Sequence, residues 1–94
     1  MLKQITNCRI LTPAGWLEGG SILVEDNKIK EVLTSAAPVA GAEVVDAKNC
    51  IAAPGGIEMH VHGGGGRDFM EGTEEAFRVA VNAHLQNGTT AIFP

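Results

Sequence analysis

The feature that most constrains this 94-residue sequence is a stretch in its second half that joins two alternating histidines to a run of glycines. Residues 54–68 read Pro-Gly-Gly-Ile-Glu-Met-His-Val-His-Gly-Gly-Gly-Gly-Arg-Asp. As a β-strand over 56–62, the stretch would place Glu58, His60 and His62 on one face, because successive side chains of a strand alternate. Two residues of strand rise by roughly 6.6–6.8 Å, so the two imidazoles can tilt onto one ion. His60 and His62 are therefore candidate metal ligands.

Composition and charge exclude several classes of function. Apolar residues make up 45% and charged residues 19%, as in a globular domain. No apolar run approaches the roughly 18 residues that span a bilayer, and residues 1–4 lack the features of a secretion signal, so no membrane partner is predicted. A net charge of −4 without a basic cluster argues against a nucleic-acid partner. Cys8 and Cys50 are far apart in sequence and suggest no disulfide framework, which favours a reduced, cytoplasmic protein.

The residues before the histidine stretch are predicted to be a run of short β elements. Asp26-Asn27 has the chemistry of a tight turn and predicts a hairpin between its neighbouring strands. Residues 34–42 are small and turn-rich, and are expected to form a loop. The predicted strands cover residues 2–11, 21–25, 28–33, 43–46 and 50–53.

The second half is predicted to form strand, helix and strand. Thr73 is a suitable N-cap, and Asn87-Gly88 is typical of a helix end. An apolar stripe at helical spacing is expected to be buried, and it comprises Phe77, Ala80, Val81, His84 and Leu85. With strands over 56–62 and 89–93, a crossover of this length predicts a parallel βαβ unit.

A single βαβ unit leaves both edges of its sheet open, whereas a closed (β/α)₈ barrel takes about 250 residues. The sequence is therefore expected to be the beginning of a longer α/β protein. Residues 1–53 would form one β domain and residues 54–94 the start of the barrel.

Several residues in the stretch allow more than one interpretation. Two histidines at this spacing also fit a half-buried strand with hydrogen-bonded imidazoles, but their place between a strand and a glycine loop favours a metal site. Glu58 is interpreted as support for an imidazole rather than as a direct ligand. The glycines at 63–66 favour an active-site loop over a phosphate cradle partnered by Arg67, because the spacing fits no nucleotide-binding motif. His84 is interpreted as a packing residue.

The motif Pro-Gly-Gly-Ile-Glu-Met-His-Val-His-Gly at 54–63 resembles the first barrel strand of the metal-dependent amidohydrolase superfamily. Its continuation, Gly-Gly-Gly-Arg-Asp-Phe-Met-Glu-Gly-Thr at 64–73, is similar to the N-acetylglucosamine-6-phosphate deacetylase family in particular. The segments Asn-Gly-Thr-Thr-Ala-Ile-Phe-Pro at 87–94 and Asn-Cys-Arg-Ile-Leu-Thr-Pro at 7–13 also resemble that family.

The resemblance implies a fold and a reaction. Residues 1–53 would form part of a small β-sandwich, followed by the first β-α-β of an incomplete (β/α)₈ barrel. The reaction would be hydrolysis of N-acetylglucosamine 6-phosphate to glucosamine 6-phosphate and acetate, with a divalent metal, zinc as the first choice.

Of the ligands that the resemblance implies, only His60 and His62 map onto this sequence, and the catalytic aspartate has no counterpart in it. Glu58, the four glycines at 63–66, Arg67 and Asp68 would support the metal or form the active-site loop. Residues 1–94 alone are expected to be inactive, and the full-length protein to be a homo-oligomer.

Two rival interpretations stay open. The first keeps the superfamily and changes the substrate to a cyclic amide or a base that is deaminated. The second is a non-catalytic β-rich module that folds or self-associates without a barrel.

Overall fold

A computed structural model of the chain describes residues 1–93 and divides it into two compact units, Met1–Pro54 and Gly55–Pro94. The first unit is a curled five-stranded sheet. Its strands are β1 (Leu2–Thr12), β2 (Gly15–Leu17), β3 (Ser21–Glu25), β4 (Lys28–Leu33) and β5 (Glu43–Ala52).

The long strand β1 lies at the centre of this sheet. β3 and β2 pair antiparallel with successive parts of one edge of β1, and β5 pairs parallel with the other edge. The predicted hairpin of β3 and β4 is present, and Asp26 in its turn has φ of +55°, a left-handed conformation that Asp tolerates. The second sheet that a β-sandwich requires stays a prediction.

The prediction of two strands at 43–46 and 50–53 was wrong, since β5 is one strand interrupted by a bulge. The register with β1 shifts between Thr6↔Asp46 and Cys8↔Cys50. Lys48 in the bulge has positive φ, and its amide N–H donates to Asp46 Oδ1 over 2.8 Å. This bond and a weaker one from Asn7 hold the pKa of Asp46 below its ordinary value. The bulge therefore has its own polar support.

The interior of the first unit includes a polar pair. Gln4 and Ser21 are fully buried, and Gln4 Nε2 donates to Ser21 Oγ over 3.1 Å. Gln4 also donates to the Ala37 carbonyl and accepts from the Val39 amide, so it attaches the 34–42 loop to the sheet. Because every buried polar atom must find a partner, these bonds fix the path of a loop that has little apolar surface of its own. The apolar core comprises Cys8, Ile10 and Leu23, and burial raises the pKa of the Cys8 thiol.

The second unit contains a parallel strand pair, a short hairpin and a helix. Its elements are β6 (Gly56–Glu58), β7 (Gly63–Gly64), β8 (Arg67–Asp68), a 3₁₀ helix (Phe69–Glu71), α1 (Glu74–Leu85) and β9 (Thr89–Ile92). β6 pairs parallel with β9, and β7 pairs antiparallel with β8. Thr73 caps α1, with its Oγ1 accepting from the Ala76 amide over 3.1 Å. Within residues 1–93, no helix has the length and apolar character that crossing a membrane requires.

The strand predicted over 56–62 was too long, because β6 ends at Glu58. The last register pair is Glu58↔Ile92, after which the Phe93 amide donates to the Glu58 carbonyl over 2.9 Å. His60 and His62 therefore lie beyond the strand, and the alternation of a strand does not orient them.

The buried face of α1 also differs from the prediction. Ala76 and Ala80 are fully buried, whereas Phe77, Val81 and Leu85 of the predicted stripe are 40%, 38% and 56% exposed. The glycine hairpin approaches the helix at Val79, Ala80, Ala83 and His84. Within the described part of the unit, the large apolar side chains of the stripe stay at the surface.

Candidate functional site

His60 and His62 are brought together by the irregular segment that follows β6. Their ring centroids lie 4.9 Å apart, with the ring planes at 85°, so one ring meets the other edge to face. Both side chains are exposed. The predicted proximity of the two imidazoles is thus present, although a turn in the chain produces it rather than a strand.

The spacing of the two rings fits shared coordination of one divalent ion. Two imidazoles on a tetrahedral zinc, each with a Zn–N bond of about 2.0–2.1 Å, have ring centroids on the order of 5 Å apart. Histidine nitrogen is also a donor that zinc prefers. Among residues 1–93, no group of three or more His, Cys, Asp or Glu side chains is placed to hold a metal. Ligation of a metal by His60 and His62 therefore stays a prediction.

Glu58 lies at the carboxyl end of β6, two residues before His60. It is half-buried, and its carbonyl accepts the Phe93 amide. Within the described residues, no hydrogen bond joins its carboxylate to either imidazole. Its support of a histidine ligand stays a prediction.

The four glycines form the β7–β8 hairpin rather than an open loop. Gly63 and Gly64 belong to β7, while Gly65 and Gly66 make the two-residue turn with φ of +59° and +83°. Two consecutive positive φ values are the requirement of a type I′ turn, which matches the twist of paired strands and favours glycine. The run of glycines therefore has a structural cause within the hairpin.

The hairpin packs on α1, and glycine makes that contact possible. An ideal Cβ built on Gly64 would lie 3.0 Å from His84 Nε2, and one on Gly65 would lie 3.1 Å from Val79 Cγ1. A Cβ on Gly63 would lie 2.0 Å from the Arg67 carbonyl oxygen. The close approach expected of this run is thus made by the helix and by the hairpin itself. Approach of a substrate to the same segment stays a prediction.

Arg67 and Asp68 connect the hairpin to the 3₁₀ helix by an ion pair and hydrogen bonds. Arg67 Nη2 lies 2.9 Å from Glu71 Oε1 and Arg67 Nη1 lies 3.5 Å from Glu75 Oε1. Asp68 Oδ1 accepts the Met70 amide over 2.7 Å, and Glu71 Oε2 accepts the Asp68 amide over 2.8 Å, which completes a capping box. The hydrogen bonds from Arg67 and Asp68 hold the pKa of Glu71 below its ordinary value. Arg67 is engaged by carboxylates, so the phosphate cradle gains no support.

His84 contacts the segment that carries the histidine pair. It lies in the last turn of α1, is half-buried, and its Nε2 is 2.8 Å from the Gly63 carbonyl oxygen. The sequence interpretation of His84 as a packing residue missed this bond. The relevant signal was a polar side chain on an apolar stripe, which needs a partner once it is partly buried.

The chain is similar to several curated proteins, among them a dihydroorotase and an N-acetylglucosamine-6-phosphate deacetylase. It is 42% identical over 78 residues to the dihydroorotase of Syntrophotalea carbinolica, covering 81% of this chain and 18% of that protein. It is 35% identical over 100 aligned residues to the N-acetylglucosamine-6-phosphate deacetylase of Bos taurus, covering 97% of this chain and 23% of that protein. The chain thus spans about a fifth of the length of these relatives, 18% and 23%. No protein-family model matches it.

A solved structure shares the fold of the whole chain. The crystal structure of N-acetylglucosamine-6-phosphate deacetylase from Pasteurella multocida superposes with a TM-score of 0.88, covering 100% of this chain and 25% of that one. The identity is 22%, so this likeness shows the fold alone.

These similarities confirm the resemblance to the amidohydrolase superfamily, which includes both kinds of relative. Within that class, the chain is similar to a dihydroorotase and to an N-acetylglucosamine-6-phosphate deacetylase alike. The activity and the substrate of the protein are therefore matters for proposal.

Proposed function

We propose that this chain forms part of a divalent-metal hydrolase that cleaves the N-acetyl amide of N-acetylglucosamine 6-phosphate, giving glucosamine 6-phosphate and acetate. The observation that carries the proposal is the 4.9 Å approach of the His60 and His62 rings within the His-x-His motif. Support for this substrate comes from the deacetylase relative, whose match covers 97% of the chain. A homo-oligomeric, cytoplasmic enzyme completes the proposal.

The role of the chain in this proposal is to present two metal ligands. A divalent ion, zinc as the first choice, supplies polarisation of the amide carbonyl and acidification of water when it is bound. His60 and His62 would each ligate it through a neutral ring nitrogen. Glu58 would orient one of the imidazoles. Further ligands and the acid–base group would come from outside the described residues, and residues 1–94 alone are expected to show no turnover.

Hydrolysis of a cyclic amide is the second candidate function. The identity to the dihydroorotase, 42% over 78 residues, is higher than that to the deacetylase. Both reactions break an amide C–N bond, but only deacetylation releases acetate. The products therefore separate the two candidates.

A substrate panel on the natural full-length polypeptide tests the proposal. We expect release of acetate from N-acetylglucosamine 6-phosphate, and loss of that activity to the background rate in the double variant His60→Ala/His62→Ala. Met59→Ala is the matched control, because Met59 directly precedes His60 and is 78% exposed. Ring opening of dihydroorotate without release of acetate would replace the first substrate by the second. Hydrolysis of neither amide, together with a cooperative melt of residues 1–94 alone, would favour a non-catalytic β-rich module.

A further inference from the structure

The bond between His84 and Gly63 joins two segments that are far apart in sequence. His84 lies near the end of α1, and Gly63 directly follows His62, a proposed metal ligand. The two atoms, His84 Nε2 and Gly63 O, are 2.8 Å apart across a sequence separation of 21 residues. A carbonyl oxygen only accepts, so Nε2 carries the hydrogen and donates it.

The carbonyl of His62, on the N-terminal side of Gly63, also accepts a hydrogen bond. The His62 carbonyl oxygen accepts the Phe69 amide over 2.9 Å. Each peptide group is planar, so fixing the oxygens of residues 62 and 63 fixes the two peptide planes that flank Gly63. The first of these planes begins at the Cα of His62, from which the imidazole departs. The direction of the His62 side chain is therefore set in part by the hydrogen bonds to these two carbonyls.

The glycine hairpin is shaped to admit the His84 ring. An ideal Cβ on Gly64 would lie 3.0 Å from Nε2 and 3.1 Å from Cδ2 of that ring. Such contacts are tighter than nearly all real Cβ contacts, so a residue with a Cβ at position 64 would require the imidazole to move by a few tenths of an ångström. The absence of a side chain at position 64 thus leaves room for the His84 ring beside the Gly63 carbonyl.

We propose that His84 is a positioning residue, which holds the backbone after His62 so that the His62 imidazole is set in place to ligate a metal. This inference rests on the proposed function. His84 itself does not contact the metal or the substrate in this account. Removal of partners that orient a metal ligand typically weakens metal affinity or activity about 10–100-fold.

The test compares three substitutions in the natural full-length polypeptide. His84→Leu removes the donor at similar bulk, His84→Gln keeps an N–H donor, and Gly64→Ala displaces the ring from the opposite side. Asn87→Ala is the control, because within residues 1–93 the Asn87 side chain bonds only the Ala83 carbonyl, at the same end of α1. The readouts are Zn²⁺ affinity from competition with a chromophoric chelator, the visible spectrum of the Co²⁺-loaded protein, and kcat/KM for amide hydrolysis.

We expect His84→Leu and Gly64→Ala to weaken Zn²⁺ binding by about 10–100-fold and to alter the Co²⁺ spectrum. His84→Gln should retain most of the affinity, and Asn87→Ala should match the wild type. Wild-type affinity in His84→Leu, or an equal loss in His84→Gln and His84→Leu, would overturn the inference. If His84→Leu fails to fold, the ranking of Gly64→Ala below His84→Gln decides the question.

The outcomes separate this inference from the proposed function. A wild type that binds Zn²⁺ but hydrolyses no amide, with weakened binding in His84→Leu, would refute the function and leave the positioning role. An active wild type whose Zn²⁺ affinity is unchanged in His84→Leu and Gly64→Ala would refute the positioning role alone. A wild type without Zn²⁺ affinity would contradict both.

Discussion

Alanine in place of Gly63 should open the β7–β8 hairpin, whereas alanine in place of Gly66 should only strain its turn. At position 63, the new Cβ would lie 2.0 Å from the Arg67 carbonyl oxygen and 2.9 Å from the Asp68 Cα. Both are backbone atoms that no rotamer change can move. The pairs Gly63↔Asp68 and Gly64↔Arg67 must therefore separate, and the His84 bond to the Gly63 carbonyl is lost with them.

The expected cost follows from the bonds that are lost. Taking roughly three hydrogen bonds at about 0.5–1.5 kcal/mol each gives a local opening cost of about 1.5–4.5 kcal/mol. At Gly66, where φ is +83°, an added Cβ meets no atom within 4 Å. Alanine there carries only the penalty of left-handed backbone, about 1–2 kcal/mol.

Hydrogen–deuterium exchange of residues 63–72 in the natural full-length polypeptide reads this local opening directly. At about 1.4 kcal/mol per tenfold, we expect exchange to accelerate about 10- to 1,600-fold in Gly63→Ala and about 5- to 30-fold in Gly66→Ala. Equal or greater acceleration in Gly66→Ala would refute the assignment of the glycines to this hairpin contact.

Two further predictions concern the same unit. Ala80→Leu should destabilise the packing of α1 on the hairpin by about 1–3 kcal/mol, because Ala80 is 0% exposed and has no room for a larger side chain. Chemical denaturation compares it with Val81→Leu at a 38% exposed neighbour, and equal losses would contradict the packing scheme. Arg67 lowers the pKa of Glu71, so the charged Glu71 carboxylate stabilises the folded state. That stabilisation is fully present above the ordinary pKa of a glutamate, about 4.3, and is lost as pH falls through the lower pKa of the folded state. The difference in unfolding free energy between the wild type and Glu71→Gln should therefore be constant near neutral pH and vanish in acid, and a difference that grows as pH falls would contradict the linkage.

Local chemistry allowed several elements to be predicted from sequence. The strands over 21–25 and 28–33 are present as β3 and β4, since Asp26 supplies the left-handed turn between them. Thr73 caps α1 as predicted, because its hydroxyl satisfies a free amide of the first turn. Each of these features depends on residues that are neighbours in the sequence.

Features that depend on distant partners could not be predicted in the same way. The length of β6 is set by β9, more than 30 residues later, so the apolar–polar alternation of 56–62 overstated the strand. Cys8 and Cys50 face each other in register because β5 pairs parallel with β1, although nothing in their spacing indicates it. The fully buried residues of α1 are Ala76 and Ala80, while the larger Phe77 is 40% exposed. Periodicity indicates which residues are apolar, but not which face a particular neighbour covers.

The candidate site also combines a feature that neighbouring residues determine with features that distant partners determine. The His-x-His motif predicted that two imidazoles meet, and their rings are 4.9 Å apart. The turn that brings them together and the bond from His84 to Gly63 required the folded chain.

The central claim is that His60 and His62 bind one divalent metal ion. The most direct measurement is a Zn²⁺ titration of the natural full-length polypeptide, run in parallel on His60→Ala/His62→Ala and on Met59→Ala. The account predicts saturable Zn²⁺ binding in the wild type and in Met59→Ala, with loss of at least one bound ion in the double variant. Equal stoichiometry and affinity in all three proteins would contradict it.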